Sequence, residues 1–133
     1  MGIRETKEVR KGKFSSDLVM ELYADLLSDL WEIVSALIGE PTLAQLFLLS
    51  IRKLGDKYPF LTLLGVSEEG LDLGNAKEAC RTLSPQEIHR GFHSLVNHLF
   101  HLFSILAEGV ISRELFPKVF PKIREAERIV FQK

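Results

Sequence analysis

The chain has 133 residues, of which 46% are hydrophobic and 26% are charged, and its formal net charge at pH 7 is -1. These values are typical of one globular domain that is long enough to bury a core without disulfides or a metal. The near-neutral charge argues against a general nucleic-acid-binding protein, and the single cysteine, Cys80, excludes an intramolecular disulfide.

Residues 1–14 are rich in charge and show no apolar periodicity, so they are predicted to form a mobile basic leader before a single helical domain at residues 15–133. They lack the apolar segment of a secretory signal, and no later stretch is apolar enough to span a bilayer. A cytoplasmic protein without membrane contact is therefore expected. Met1-Gly2 with Thr6 fits the minimal N-myristoylation pattern, but this pattern is loose and a solvated tail is favoured.

The first long helix is predicted at residues 16–38, with Ser15 as its N-cap and Phe14 as a hydrophobic staple. Two neighbouring apolar rows cover about half of its circumference, which indicates contact with two neighbours. One row is predicted to be a face for self-association, and it consists of Met20, Tyr23, Leu27, Trp31 and Val34. The acidic strip opposite is interpreted as a solvated face, because the Glu-x-x-His pairs of a ferritin-like metal site do not occur.

Gly39 marks the end of this helix, and a second amphipathic helix is predicted at residues 41–57. The next segment carries the only β signal, a hairpin over residues 61–73 with a turn at residues 67–70 whose glycine takes a left-handed conformation. Two strands alone are marginally stable, so the hairpin is expected to pack on the helices or pair with another chain. A short helix is predicted at residues 76–81.

The most clearly signalled helix starts at Ser84-Pro85-Gln86-Glu87, a capping-box sequence, and extends to about Glu108. Its apolar residues recur at three- and four-residue steps and predict one buried face, which includes Leu99, packed against the face of the first helix around Leu26. All four histidines of the chain lie on this helix, and they are predicted to lie mostly on its solvent side. They are His89, His93, His98 and His101.

Gly109 is predicted to weaken or break the histidine helix at its end. Residues 110–115 are predicted to form one or two further helical turns. The dipeptides Phe116-Pro117 and Phe120-Pro121 are interpreted as punctuation before a last amphipathic helix at residues 122–131. Its basic residues are expected to oppose the acidic strip of the first helix.

The histidine helix could hold either of two kinds of bound group, although no cofactor is expected. His89 and His93 are four residues apart and could grip one divalent ion, whereas His101 lies too far along the helix to join His89 at the same ion. Haem or another apolar ligand could use His93, His98 and Phe100 at the rims of the apolar face. Polar-face histidines that pack at an interface are the favoured interpretation.

Catalysis is not expected. Cys80 with a histidine could act as nucleophile and base, but its apolar neighbours favour a buried thiol. The chain contains no Gly-rich phosphate loop, no G-x-S-x-G and no H-E-x-x-H. A solvent-facing histidine in a helical bundle also suggests phosphotransfer, although the Lys and Gly that follow the histidine in that motif are missing.

The sequence therefore predicts a mainly α-helical bundle of about four main helices and a short one, with a small β-hairpin inserted between helices two and three. In general shape such a chain is similar to the small helical modules that accompany prokaryotic signalling proteins, although no motif identifies a family. A non-catalytic regulatory or protein-interaction module that forms a homodimer is the favoured function. A small ligand-binding sensor and a histidine phosphotransfer protein are the alternatives.

Overall fold

The structure, a computed structural model, describes residues 2–107 and 110–131, with side chains at 15–106, 113, 115 and 117–131. It confirms a mainly helical fold in which a two-stranded hairpin lies between the second and third helices along the chain. Among the described residues, no helix combines the length and the apolar character needed to cross a membrane.

The first helix, α1 (Gly2–Ile38), is longer than predicted. Its backbone is helical through most of the segment expected to be a leader, so the predicted start at Ser15 is wrong. Lys, Arg and Glu dominate residues 4–13, and these residues have high helix propensity. The mobility of this segment stays a prediction, and the Phe14 staple and the Met1-Gly2 acylation pattern lie outside the described side chains.

The second helix, α2 (Glu40–Leu54), follows α1 after a single glycine and has a proline in its first turn. It buries Leu43, Phe47 and Ile51. It ends at Leu54 rather than at the predicted Lys57, because the backbone leaves the helix over a turn at residues 55–57.

The segment between α2 and the histidine helix is called the insert (residues 55–84). It contains a 3₁₀ helix (Pro59–Leu63), the strands β1 (Gly65–Ser67) and β2 (Gly70–Asp72), and the helix α3 (Gly74–Cys80). The strands are antiparallel, with Val66 opposite Leu71, and Gly70 has the predicted positive φ, +132°. The strand predicted from Leu61 is wrong over its first half, because Pro59 begins a 3₁₀ helix and Thr62 closes it by donating its hydroxyl to the Pro59 carbonyl at 2.6 Å.

The histidine helix, α4 (Pro85–Ala107), begins as predicted. The Glu87 N–H donates to Ser84 Oγ at 3.2 Å, and the Ser84 hydroxyl donates to the Glu87 carboxylate at 3.5 Å. These contacts satisfy an N–H at the helix start and fix the position at which α4 begins.

The last helix, α5 (Val110–Phe131), is continuous, so the predicted punctuation at the two prolines is wrong. Pro117 and Pro121 both lie inside the helix and both are exposed. Being four residues apart, they fall on one outer stripe, where water can donate to the backbone carbonyls that lose their N–H partner at each proline. The break predicted at Gly109 lies outside the described residues.

The four long helices form a bundle in which each consecutive pair is in contact. Two side-chain pairs link helices that are not adjacent in sequence. Asp29 on α1 pairs with Lys122 on α5, and Ser50 on α2 bonds His98 on α4. α1 packs on α2, α4 and α5, and both Leu26 and Leu99 are fully buried. Lys122 Nζ of α5 lies 2.9 Å from Oδ2 of Asp29 on α1, an ion pair between the two helices, while the expected opposition to the acidic strip stays a prediction.

Candidate functional site

An open groove of about 1030 Å³ lies between the insert and the start of α4. It is called the insert groove. Its lining is mainly aromatic and aliphatic, and the apolar residues are Tyr58, Pro59, Phe60, Leu63, Ala79 and Leu83. The polar lining residues are Lys57, Thr62, Thr82, Glu87 and Arg90. Ligand sites commonly combine such an apolar wall with a few polar groups.

The close approach of the 3₁₀ helix to α4 depends on Gly91. A Cβ atom at this position would lie 2.4 Å from Cζ of Phe60 and 3.4 Å from Cγ of Tyr58. The missing side chain therefore lets the two aromatic rings lie directly on the helix backbone. Phe60 continues from there into the core, where its ring meets that of Phe92 edge-on at 5.3 Å between centroids.

The charged groups of the insert groove are exposed and come from different walls. Lys57 follows α2 and holds its ammonium 5.7 Å from the centroid of the Tyr58 ring. Arg90 and Glu87 lie one turn apart on α4, and the Glu87 carboxylate accepts the Ser84 hydroxyl. Among the described residues, neither Lys57 nor Arg90 forms an ion pair. Two cations of this groove are thus available to a ligand.

The predicted placement of the histidines on the solvent side is wrong for His89. Its side chain is only 5% exposed, and Nδ1 lies 2.9 Å from the Tyr23 hydroxyl of α1, which is itself buried. With the ring proton on Nε2, the hydroxyl donates and Nδ1 accepts. The drift of the helical stripe explains the difference, because His89 is on the same side as Phe92 at the first turns of α4, whereas His101 near the other end is exposed.

Burial controls the ionisation of this pair. It lowers the pKa of His89, and the nearby His93 and Arg90 lower it further while Glu127 opposes them. It also raises the pKa of Tyr23 above its usual value, with a contribution from Glu127. Both groups are therefore neutral at physiological pH, and the pair is a structural contact between α1 and α4.

His98 makes a second contact of this kind, between α4 and α2. Its Nδ1 lies 2.7 Å from Oγ of Ser50, a residue with no exposed surface. Burial lowers the pKa of His98, with Lys53 and His101 acting in the same direction. Although serine and histidine form a nucleophile and base in some enzymes, this hydroxyl has no access to a substrate.

The structure does not assemble the metal site considered for His89, His93 and His101. The His89 and His93 rings stack with their centroids 5.2 Å apart and their planes at 12°, and His89 is already bonded to Tyr23. His101 is exposed farther along α4. Within residues 2–107 and 110–131, no three His, Cys, Asp or Glu side chains are grouped so that they could hold a metal ion.

The residues considered for haem, His93, His98 and Phe100, have separate partners. His93 stacks on His89, His98 bonds Ser50, and the Phe100 ring meets Phe103 at 6.2 Å between centroids. None of the three lines the insert groove. Cys80 is buried, and burial raises the pKa of its thiol to about 11, so the thiol stays protonated at neutral pH.

The row predicted as a self-association face lies instead inside the chain. Met20, Tyr23, Leu27 and Val34 are buried, and Trp31 is half-buried with its ring 5.7 Å from that of Phe47. These side chains are covered by the other helices of the same chain, which explains the width of the apolar surface on α1. Self-association through another surface stays a prediction.

The sequence prediction missed the insert groove. Two local signals pointed toward it: a glycine, Gly91, inside an otherwise strong helical pattern, and the aromatic pair Tyr58 and Phe60 around a proline. An isolated glycine in such a helix often marks a close approach of another segment.

Comparisons of the chain with models of known protein families, with curated proteins and with solved structures found no match, so its function is inferred from this geometry.

Proposed function

We propose that the protein is a non-catalytic module that binds a small, largely apolar molecule in the insert groove. The observation that supports this most directly is the groove itself, whose volume of about 1030 Å³ is comparable with that of small-molecule sites, commonly on the order of 300–1,000 Å³. Its wall of aromatic and aliphatic side chains suits an apolar ligand.

Hydrogen bonding in the bundle interior also supports the groove as the binding site. In the described part of the chain, every buried side-chain nitrogen or oxygen has a hydrogen-bond partner. Two of these partners are side chains of the histidine helix, His89 and His98, which join α4 to α1 and α2. In the insert groove, apolar and charged side chains face open space together, as a ligand site requires, and the proposed role of the module is regulation through ligand binding.

A neutral fluorescent probe tests the proposal. N-phenyl-1-naphthylamine becomes fluorescent in apolar sites and can be titrated against the full chain, with excitation of the probe itself. We expect saturable binding, and we expect 1-decanol to displace the probe. A folded protein with which the probe shows no saturable fluorescence would contradict the proposal.

Two matched variants locate the bound probe. Leu63 lines the groove and is 41% exposed, while Leu49 on α2 is 50% exposed and lies outside it. Leu63→Asp should weaken probe binding by about tenfold, since a charge is placed in the apolar wall, and Leu49→Asp should leave binding unchanged. Equal weakening by both variants, with unchanged circular dichroism, would show that the probe binds elsewhere.

A further inference from the structure

Resting on the proposed function, we infer that the ligand of the insert groove is an amphiphile with a single negative charge, a monocarboxylate whose acid group is bound by Arg90 and Lys57. The charges in the groove lead to this conclusion. The two cations lie on different walls, neither forms an ion pair among the described residues, and both line the same open space.

Arg90 is the principal group in this inference. It stands on α4 next to Gly91, where Tyr58 and Phe60 lie against the helix, so a ligand on those rings has its polar end near the guanidinium. A guanidinium donates two parallel hydrogen bonds to a carboxylate, which fixes the orientation of the anion as well as attracting it. Lys57, the first lining residue in sequence as Arg90 is the last, adds a second positive charge to the groove.

Glu87 limits how much negative charge the groove accepts. Its carboxylate also lines the groove, and the hydrogen bond from Ser84 keeps it at the start of α4. With two cations and one carboxylate, the lining carries one net positive charge. A monoanion neutralises that charge, whereas a second negative group on the ligand would face Glu87 without compensation.

The apolar wall determines the rest of the ligand. Phe60, Leu63 and Leu83 offer a surface for a hydrocarbon chain or an aromatic ring, and the volume is larger than a short acid needs. The expected class is thus a medium-chain or aromatic monocarboxylic acid.

Displacement of N-phenyl-1-naphthylamine from the full chain by four ligands of one chain length tests the charge: decanoate, 1-decanol, decylamine and decanedioate. Apolar burial alone favours decanol over decanoate, because the ionised acid is better hydrated. We expect the opposite order, with decanoate binding at least about tenfold more tightly than decanol and with the advantage falling as salt is added. Decylamine and decanedioate should bind more weakly than decanoate.

Two matched arginine substitutions show whether Arg90 causes the preference for decanoate over decanol. Arg90→Gln should reduce the ratio of decanoate to decanol affinity by about tenfold. Arg52→Gln removes an exposed cation from α2, outside the groove, and should leave the ratio as it is. If the probe and decanol bind but decanoate binds no more tightly, the inference fails and the proposed function stands. If neither binds, both fail.

Discussion

Helix α4 contributes to both the bundle interior and the insert groove, but its polar groups have different roles in the two regions. On the bundle side of α4, His89 and His98 are bonded to Tyr23 and Ser50 across helix boundaries. On the groove side, Arg90 has no ion-pair partner among the described residues. The paired groups stabilise the fold, and the unpaired ones indicate where another molecule can bind.

Phe92 joins the two regions, so its truncation should have the largest effect. Its ring, which has no exposed surface, stacks on Tyr23 at 5.3 Å and meets Phe60 at the same centroid distance. Phe92→Ala should lower the free energy of unfolding by about 3–5 kcal/mol. Urea unfolding followed by circular dichroism and by probe binding should give one shared transition, and loss of probe binding before loss of helicity would show that the groove unfolds separately.

Gly91→Ala tests the groove side alone. Alanine favours helix by about 1 kcal/mol over glycine, but here its Cβ would lie 2.4 Å from Cζ of Phe60. The displacement of the 3₁₀ helix should outweigh this gain and leave the protein about 1–2 kcal/mol less stable, as measured by urea unfolding. The exposed Asn97→Ala on α4 is the control, and it should be neutral or stabilising. A stabilised Gly91→Ala variant would mean that the segment does not pack on α4 in this way.

Tyr23→Phe tests the bundle side. It removes the hydroxyl that bonds His89 and leaves Nδ1 of a buried ring without its partner, at a cost of about 1–3 kcal/mol in the free energy of unfolding. Tyr58→Phe is the matched change in the groove, where the hydroxyl forms no hydrogen bond among the described residues. The second variant should change stability by less than about 0.5 kcal/mol, and equal effects would remove the distinction between the two regions.

The dependence of stability on pH gives the smallest and most specific test. Burial holds the pKa of His89 below 6.5, its ordinary value, so near and below that pH the unfolded chain binds more protons than the folded one. Stability should therefore be fully present above pH 6.5 and should fall as the pH drops through it. His98 acts in the same direction.

His89→Gln should flatten the curve of unfolding free energy against pH between about pH 8 and pH 5, since it removes one of the two lowered titrations. Asn97→Gln, which changes an exposed residue of the same helix that carries no charge, is the control and should keep the wild-type curve. A flat wild-type curve would contradict the burial of a neutral His89.

The parts of the fold that the sequence predicted are those with strong local signals. The capping box at Ser84 placed the start of α4, and the turn at Gly70 placed the hairpin, because both depend on neighbouring residues only. The continuity of α5 could not be predicted, since two prolines are acceptable there only because their stripe is exposed in the folded bundle.

The candidate site was beyond sequence reasoning for a related reason. Its walls come from the insert and from α4, and their meeting depends on how the 3₁₀ helix packs at Gly91. The role of the apolar row of Tyr23 on α1 depended in the same way on which neighbour covers it. A local sequence pattern indicates that a surface is buried, but it does not indicate which other element covers that surface.

All residues that line the groove belong to one contiguous stretch, from Lys57 to Arg90, whereas the bundle is closed by helices from the two ends of the chain. Changes in ligand preference can therefore arise by alteration of exposed lining residues within this stretch, such as Leu63 and Arg90, while the buried residues of the four-helix bundle stay the same. Such separation lets one framework acquire new specificities at little risk to folding.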